Sequence, residues 1–131
     1  EFEGHTGPYL QYAHARCCSI LEKAGGLPAT SDAGLLTLPE EQQLVRLVAQ
    51  LPVAVAEALK DLEPSTLSRH LLEIAAGLSR WYTLGNQDRE KRVLVEGNEA
   101  LRAARLALVD ATRQALRSGL KLLGIATPST M

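Results

Sequence analysis

The sequence predicts an all-α fold, an antiparallel bundle of about five helices. Three observations carry that reading. Leu and Ala dominate the apolar residues, β-branched residues are sparse, and no segment alternates apolar and polar side chains with period two. The 131 residues suffice to bury one hydrophobic core, so the expectation is a single helical domain over residues 1–131.

The first helix is expected from about Thr6–Pro8 to Ala24. Proline suits a first turn, where no backbone N–H is required, and Gly25-Gly26 suits a helix C-terminus because glycine accepts the left-handed conformation. Its apolar stripe is Leu10, Ala13, Cys17, Ile20 and Ala24, with His14 toward the surface. Residues 25–36, rich in Gly, Pro, Ser and Asp, read as a loop. Thr37-Leu-Pro-Glu40 has the form of a capping box and opens a second helix to about Gln50. Pro52 marks the break into a third helix near 53–62, which Glu63-Pro64 ends. Pro64 opens the fourth, to about Thr83, with Leu67, Leu71, Ile74, Leu78 and then Trp81 or Tyr82 as its apolar stripe. Residues 85–97 read as irregular, with Val93-Leu94-Val95 a short extended piece packed on the domain. Asn98 is a good N-cap for the fifth and longest helix, which reaches Leu123 and stops at Gly124. Its inward face is Leu101, Ala104, Leu108, Ala111, Ala115, Gly119, Leu122 and Leu123, where Ala and Gly permit close helix approach. Short connections between such helices imply a bundle.

Composition bounds the function. No apolar run approaches the ~18–20 residues of a membrane helix, and Glu1-Phe2-Glu3-Gly4 lacks the pattern of a signal peptide. Cys17 and Cys18 are adjacent and point in different directions on one helix, so two reduced thiols are expected, one buried and one near the surface. The histidines His5, His14 and His70 share no metal-ligand spacing, and no phosphate-binding glycine loop or nucleophile motif occurs. No cofactor, metal, membrane or DNA partner is therefore expected. Net charge is only −1, yet residues 1–68 hold 4 basic and 9 acidic side chains, whereas residues 69–131 hold 10 basic and 6 acidic. Such polarity fits one face for an anion and another that avoids it, and equally fits charge decorating solvated helices.

The aromatics are paired. Tyr9, Tyr12 and Arg16, at i, i+3 and i+7, fall within an arc of roughly 60° beside the core stripe. There a ring is half packed and half open, which suits stacking of an unpaired nucleobase on phenol and guanidinium planes. The same position suits a tyrosine that caps packing and sends its hydroxyl to water. Trp81 and Tyr82 end the fourth helix, one as core and the other on the same shelf. Arg102, Arg113, Arg117 and Lys121 share an outer face of the fifth helix, as a phosphate track or a solvated face. Arg105 falls in angle within the apolar stripe, where a guanidinium needs a carboxylate or carbonyls, so it is expected to clamp helices together. A different reading, a helical protein-interaction module, rests on the acidic, Leu-rich segment 38–63.

GPYLQYAHAR over Gly7–Arg16, the Ala-Arg-Leu-Ala-Leu run at 104–108, Leu122-Leu123-Gly124-Ile125 and the closing Pro-x-x-Met together resemble the C-terminal anticodon-binding domain of bacterial-like arginyl-tRNA synthetases. That domain is named for a short Asp-Ala-Leu-Arg motif, of which Asp110-Ala-Thr-Arg113 is a variant. The resemblance spans nearly the whole chain and is weakest over residues 25–64. It implies an excised domain of a cytoplasmic class I arginine–tRNA ligase that binds the anticodon loop of tRNA(Arg). The parent's catalytic domain would be the protein partner and would use ATP. The adenylate-forming signatures are missing here, so the chain itself is expected to be catalytically silent. Carried over residue by residue, Tyr9, Tyr12 and Arg16, then Tyr82 with Trp81, and Met131 as an apolar lid, would touch the anticodon loop. Two departures stand out. Ser129-Thr130 replaces a frequent Glu-Arg pair, and His5 stands where Asn is frequent.

Overall fold

In the computed structural model, which describes residues 6–131, five α-helices account for most of the chain. They are α1 (Thr6–Ala24), α2 (Pro39–Ala49), α3 (Leu51–Asp61), α4 (Pro64–Gln87) and α5 (Glu99–Leu122). Single 3-10 turns at Ala33–Leu35 and Arg89–Lys91 punctuate the loops. No strand occurs among the described residues. The reading placed on His5 lies outside them. No described helix is long and apolar enough to cross a membrane.

α4 is the central element and packs against each of the other four helices. Its stripe is buried as the periodicity predicts at Leu67, Leu71, Ile74 and Leu78, and of the two aromatic residues left open it is Trp81 that completes the stripe. α5 lies beside it and is buried over a wider arc than expected. Ala104, Leu108, Ala115 and Gly119 face the core, but so do Leu106, Val109, Leu116 and Leu120, whereas Leu122 is exposed. A helix enclosed by α1, α2, α3 and α4 loses the single-face pattern of a peripheral helix.

Four local expectations are corrected. The capping box shifts by one residue: Leu38 is the N-cap of α2, and its N–H donates to Glu41 Oε1 at 3.0 Å. α4 does not stop at Thr83 but runs through Gly85 to Gln87. Gly85 is a packing residue, not a terminator: a Cβ there would stand 3.0 Å from Cα of Arg92, whose Nε–H donates to the Gly85 carbonyl at 3.0 Å. Val93 and Val95 are buried against the bundle, but Val93-Leu94 forms a turn instead of an extended piece. Finally, His14 is buried, not at the surface.

Arg105 clamps the helices, as expected of a guanidinium in an apolar stripe. Its Nε–H donates to Glu41 Oε2 at 2.7 Å, and its Nη1 donates to the carbonyls of Glu90 and Arg92, both at 2.8 Å. Trp81 Nε1–H donates to the same Glu41 oxygen at 3.2 Å. One carboxylate thus joins α2, α4 and α5, and Arg105 extends the tie to residues 90–92. Among the described residues no buried side-chain nitrogen or oxygen lacks a hydrogen-bond partner.

Candidate nucleic-acid interface

α1 carries its aromatic residues along the edge of its contact with α4. Leu10, Cys17 and Ile20 enter the core, which turns Tyr9, Tyr12 and Arg16 outward beside it. The buried Cys17 thiol is pushed up to about 12 by desolvation, so it is an inert packing group. Cys18 is half-buried, and both thiols are free.

The outward residues line a cleft of about 520 Å³. Its α1 wall is Tyr9, Tyr12, Arg16 and Ser19; its α4 wall is Ala75 and Ser79; residues Ser129–Met131 close it. Tyr12 is 60% and Met131 57% exposed, large apolar surfaces left open to solvent. The guanidinium of Arg16 lies over the ring of Tyr82, 4.3 Å from its centroid. This contact holds the guanidinium against the ring, while Arg16 stays exposed and lines the cleft.

Tyr9, Tyr12, Arg16 and Met131 are therefore brought together. Tyr82 is half-buried and supports Arg16 from below instead of lining the cleft itself. Trp81 is a correction: it is 1% exposed and its N–H is spent on Glu41, so no base can reach it. Angle alone leaves the two equal, since Trp81 and Tyr82 flank the Leu67–Leu71–Ile74–Leu78 stripe by about 50° on either side; the helices packed on α4 bury Trp81. Ala75 and Ser79 were missed by sequence reasoning. They precede Tyr82 at i−7 and i−3, and a small-residue track leading to an aromatic is the signal that points to them. The basic stripe of α5 is partly consumed. Arg113 pairs with Asp110 at 2.8 Å within the Asp110-Ala-Thr-Arg113 variant, and Arg102 reaches the Ala24 carbonyl at 3.4 Å. Arg117 and Lys121 remain exposed.

The tail that closes the cleft rests on α1. Gln11 Nε2–H donates to the Ala126 carbonyl at 2.9 Å, and His14 Nδ1 lies 3.4 Å from the Pro128 carbonyl. A carbonyl only accepts, so Nδ1 carries the proton there. Burial pushes the His14 pKa below its ordinary 6.5; the Pro128 carbonyl acts in the opposite sense, and the Arg113 and Arg117 cations reinforce the lowering. The remaining polar neighbour is the Cys18 thiol, 3.8 Å from Nδ1. The unfolded chain then takes up a proton that the folded chain refuses. Stability is full above about pH 6.5 and falls as the pH drops below it. A lower urea midpoint at about pH 5.5 than at about pH 7.5 is the expected result, with His14→Gln removing this contribution.

The fold and this open cleft define an all-α domain whose exposed aromatic, guanidinium and thioether groups converge at one side. The chain belongs to the DALR anticodon-binding domain family, whose sequence model, described as the DALR anticodon binding domain, matches residues 10–131. It is 46% identical over 132 residues to the arginine–tRNA ligase of Chloroflexus aurantiacus and 42% identical over 131 residues to that of Methanocella arvoryzae. These alignments cover 98% and 100% of this chain but 22% of each relative. Among solved structures, Thermus thermophilus arginyl-tRNA synthetase superposes with a TM-score of 0.85 at 38% identity, over 100% of this chain and 22% of that one. The chain thus spans about a fifth of the length of the proteins it matches.

Proposed function

We propose that this chain is the anticodon-loop-binding domain of an arginine–tRNA ligase. It holds tRNA(Arg) while a catalytic domain elsewhere in the parent performs ATP-dependent arginylation in the cytoplasm. The observation that carries this reading is the convergence of Tyr9, Tyr12, Arg16 and Met131 on one open cleft. Phenol rings and a guanidinium offer flat faces to an unstacked base, and a thioether covers the other side. The Ser19, Ser79 and Thr130 hydroxyls stand beside them, within the same cleft, as partners for base edges.

The test is binding of a synthetic anticodon stem-loop RNA. Loss of one base–aromatic stack costs about 1–3 kcal/mol, so Tyr12→Ala is expected to weaken binding roughly 5- to 150-fold. Tyr12 is exposed, so the urea midpoint of the variant should stay near that of the parent. Unchanged affinity in Tyr12→Ala would overturn the assignment of the cleft.

A second surface accompanies the first. Val45 of α2 and Val53, Leu59 and Leu62 in and after α3 are exposed, on elements that do not contact α1. Large apolar side chains left exposed on these two elements favour docking of α2–α3 on the catalytic body of the parent. RNA binding should weaken steeply with salt, whereas an apolar dock should not.

A further inference from the structure

The sequence GPYLQYAHAR contains more than the base-facing residues. Gln11 and His14 alternate with them along α1 and point instead at the other end of the chain. α5 ends in a two-bond turn: Gly124, at φ +76°, donates its N–H to the Lys121 carbonyl at 3.0 Å, and Ile125 N–H reaches the Leu120 carbonyl at 2.8 Å. Only glycine adopts that φ without strain, and the turn redirects the chain from α5 onto α1. Ile125 then lies over Gly7, its Cδ1 3.6 Å from where a Cβ would stand. Gln11 holds the next carbonyl, that of Ala126, and His14 holds that of Pro128.

These three contacts are in register. From Gly7 to His14 the helix rises about 10.5 Å. From Ile125 to Pro128 an extended chain covers about 10 Å. Thr127 is biased toward extended backbone by the proline that follows it. Residues 125–128 therefore run parallel to α1 as a strap; the chain then bends at Ser129, and Met131 lines the cleft with Ser19 and Glu22.

We propose that Gln11 and His14 are positioning residues for base recognition: they hold the backbone of residues 126–128 so that Met131 stands preformed over the cleft. This rests on the base-binding reading of that cleft. An unheld tail would have to be ordered at the moment of binding, which lowers affinity without removing any group that touches RNA. Gln11 is half-exposed and outside the core, so its replacement separates positioning from folding.

The experiment is a double-mutant cycle on the 131-residue chain with the same anticodon stem-loop RNA. Met131→Ala and Gln11→Ala are each expected to weaken binding roughly five-fold, and the double variant no more than Met131→Ala alone. In the absence of RNA, the Met131 methyl resonance should move toward its random-coil position in Gln11→Ala and also in His14→Phe. If the losses multiply, or if that resonance is random-coil already in the unaltered chain, the strap does not position Met131 and the proposal fails. Tyr12→Ala separates the two claims: a loss there together with multiplying effects at Gln11 and Met131 leaves the cleft reading standing and removes only the strap. No loss in Tyr12→Ala removes the cleft reading and the strap's role in it together.

Discussion

Glu41→Ala should destabilise the domain by about 3–5 kcal/mol, the scale set by stranding a buried cation. Glu41 is fully buried, and its two oxygens receive the Leu38 N–H, the Arg105 guanidinium and the Trp81 indole. Truncation leaves the Arg105 charge without a counter-ion in a site that water does not reach, and orphans two neutral donors besides. Urea unfolding gives the test: the midpoint should fall sharply at an unchanged slope. A loss below about 1 kcal/mol would mean that Arg105 finds solvent readily and that the tie is not closed. The double variant Glu41→Leu/Arg105→Leu sharpens the point. Removing both charges should restore much of the core's stability, since paired apolar replacements are often neutral. It should not restore residues 90–92, whose carbonyls rely on Arg105. Faster amide exchange confined to that segment is the expected signature.

This network also shows where sequence reasoning succeeds and stops. Arg105 was legible because a cation inside an apolar stripe has few options other than burial with a partner. Its partner was not. Glu41 stands in the first turn of α2, where an acidic residue already has a local role, so nothing in the sequence suggests a second one. In the structure it plays both, one oxygen for the N-cap and one for the core. The helices were legible from their stripes and breakers, except where a glycine served packing, as Gly85 does. The cleft was half legible. Tyr9, Tyr12 and Arg16 follow from one helix's angular arithmetic, and Trp81 was separable from Tyr82 only once α4 had neighbours. His14 was misplaced for a related reason. Periodicity within α1 says nothing about a strap arriving from a carbonyl 114 positions away in the chain.

The crossing of α4 and α5 supplies the second large effect. Gly119 is buried directly beneath Leu71: an added Cβ would stand 3.0 Å from Cγ of Leu71 and nearer still to its two methyls. Leu71 is fully buried, so it has little room to yield. Leu71→Ala should cost about 2–5 kcal/mol through lost burial and the cavity left behind. Gly119→Ala sets two effects against each other. Alanine gains about 1 kcal/mol over glycine in a helix interior, whereas overpacking a tight core costs about 1–3 kcal/mol. The clash wins at this contact because both methyls of Leu71 as well as its branch point crowd the added Cβ, and a fully buried side chain has little free volume to move into, so Gly119→Ala should be net destabilising. In a Leu71→Ala background the obstacle is gone and the propensity gain stands alone. The same Gly119→Ala substitution should then stabilise, and the reversal of sign is measurable by urea titration of the four proteins. If Gly119→Ala stabilises in both backgrounds, the two helices are able to separate at negligible cost. The close approach would then not be what fixes α5 against α4, nor what sets the point from which the tail departs toward the cleft.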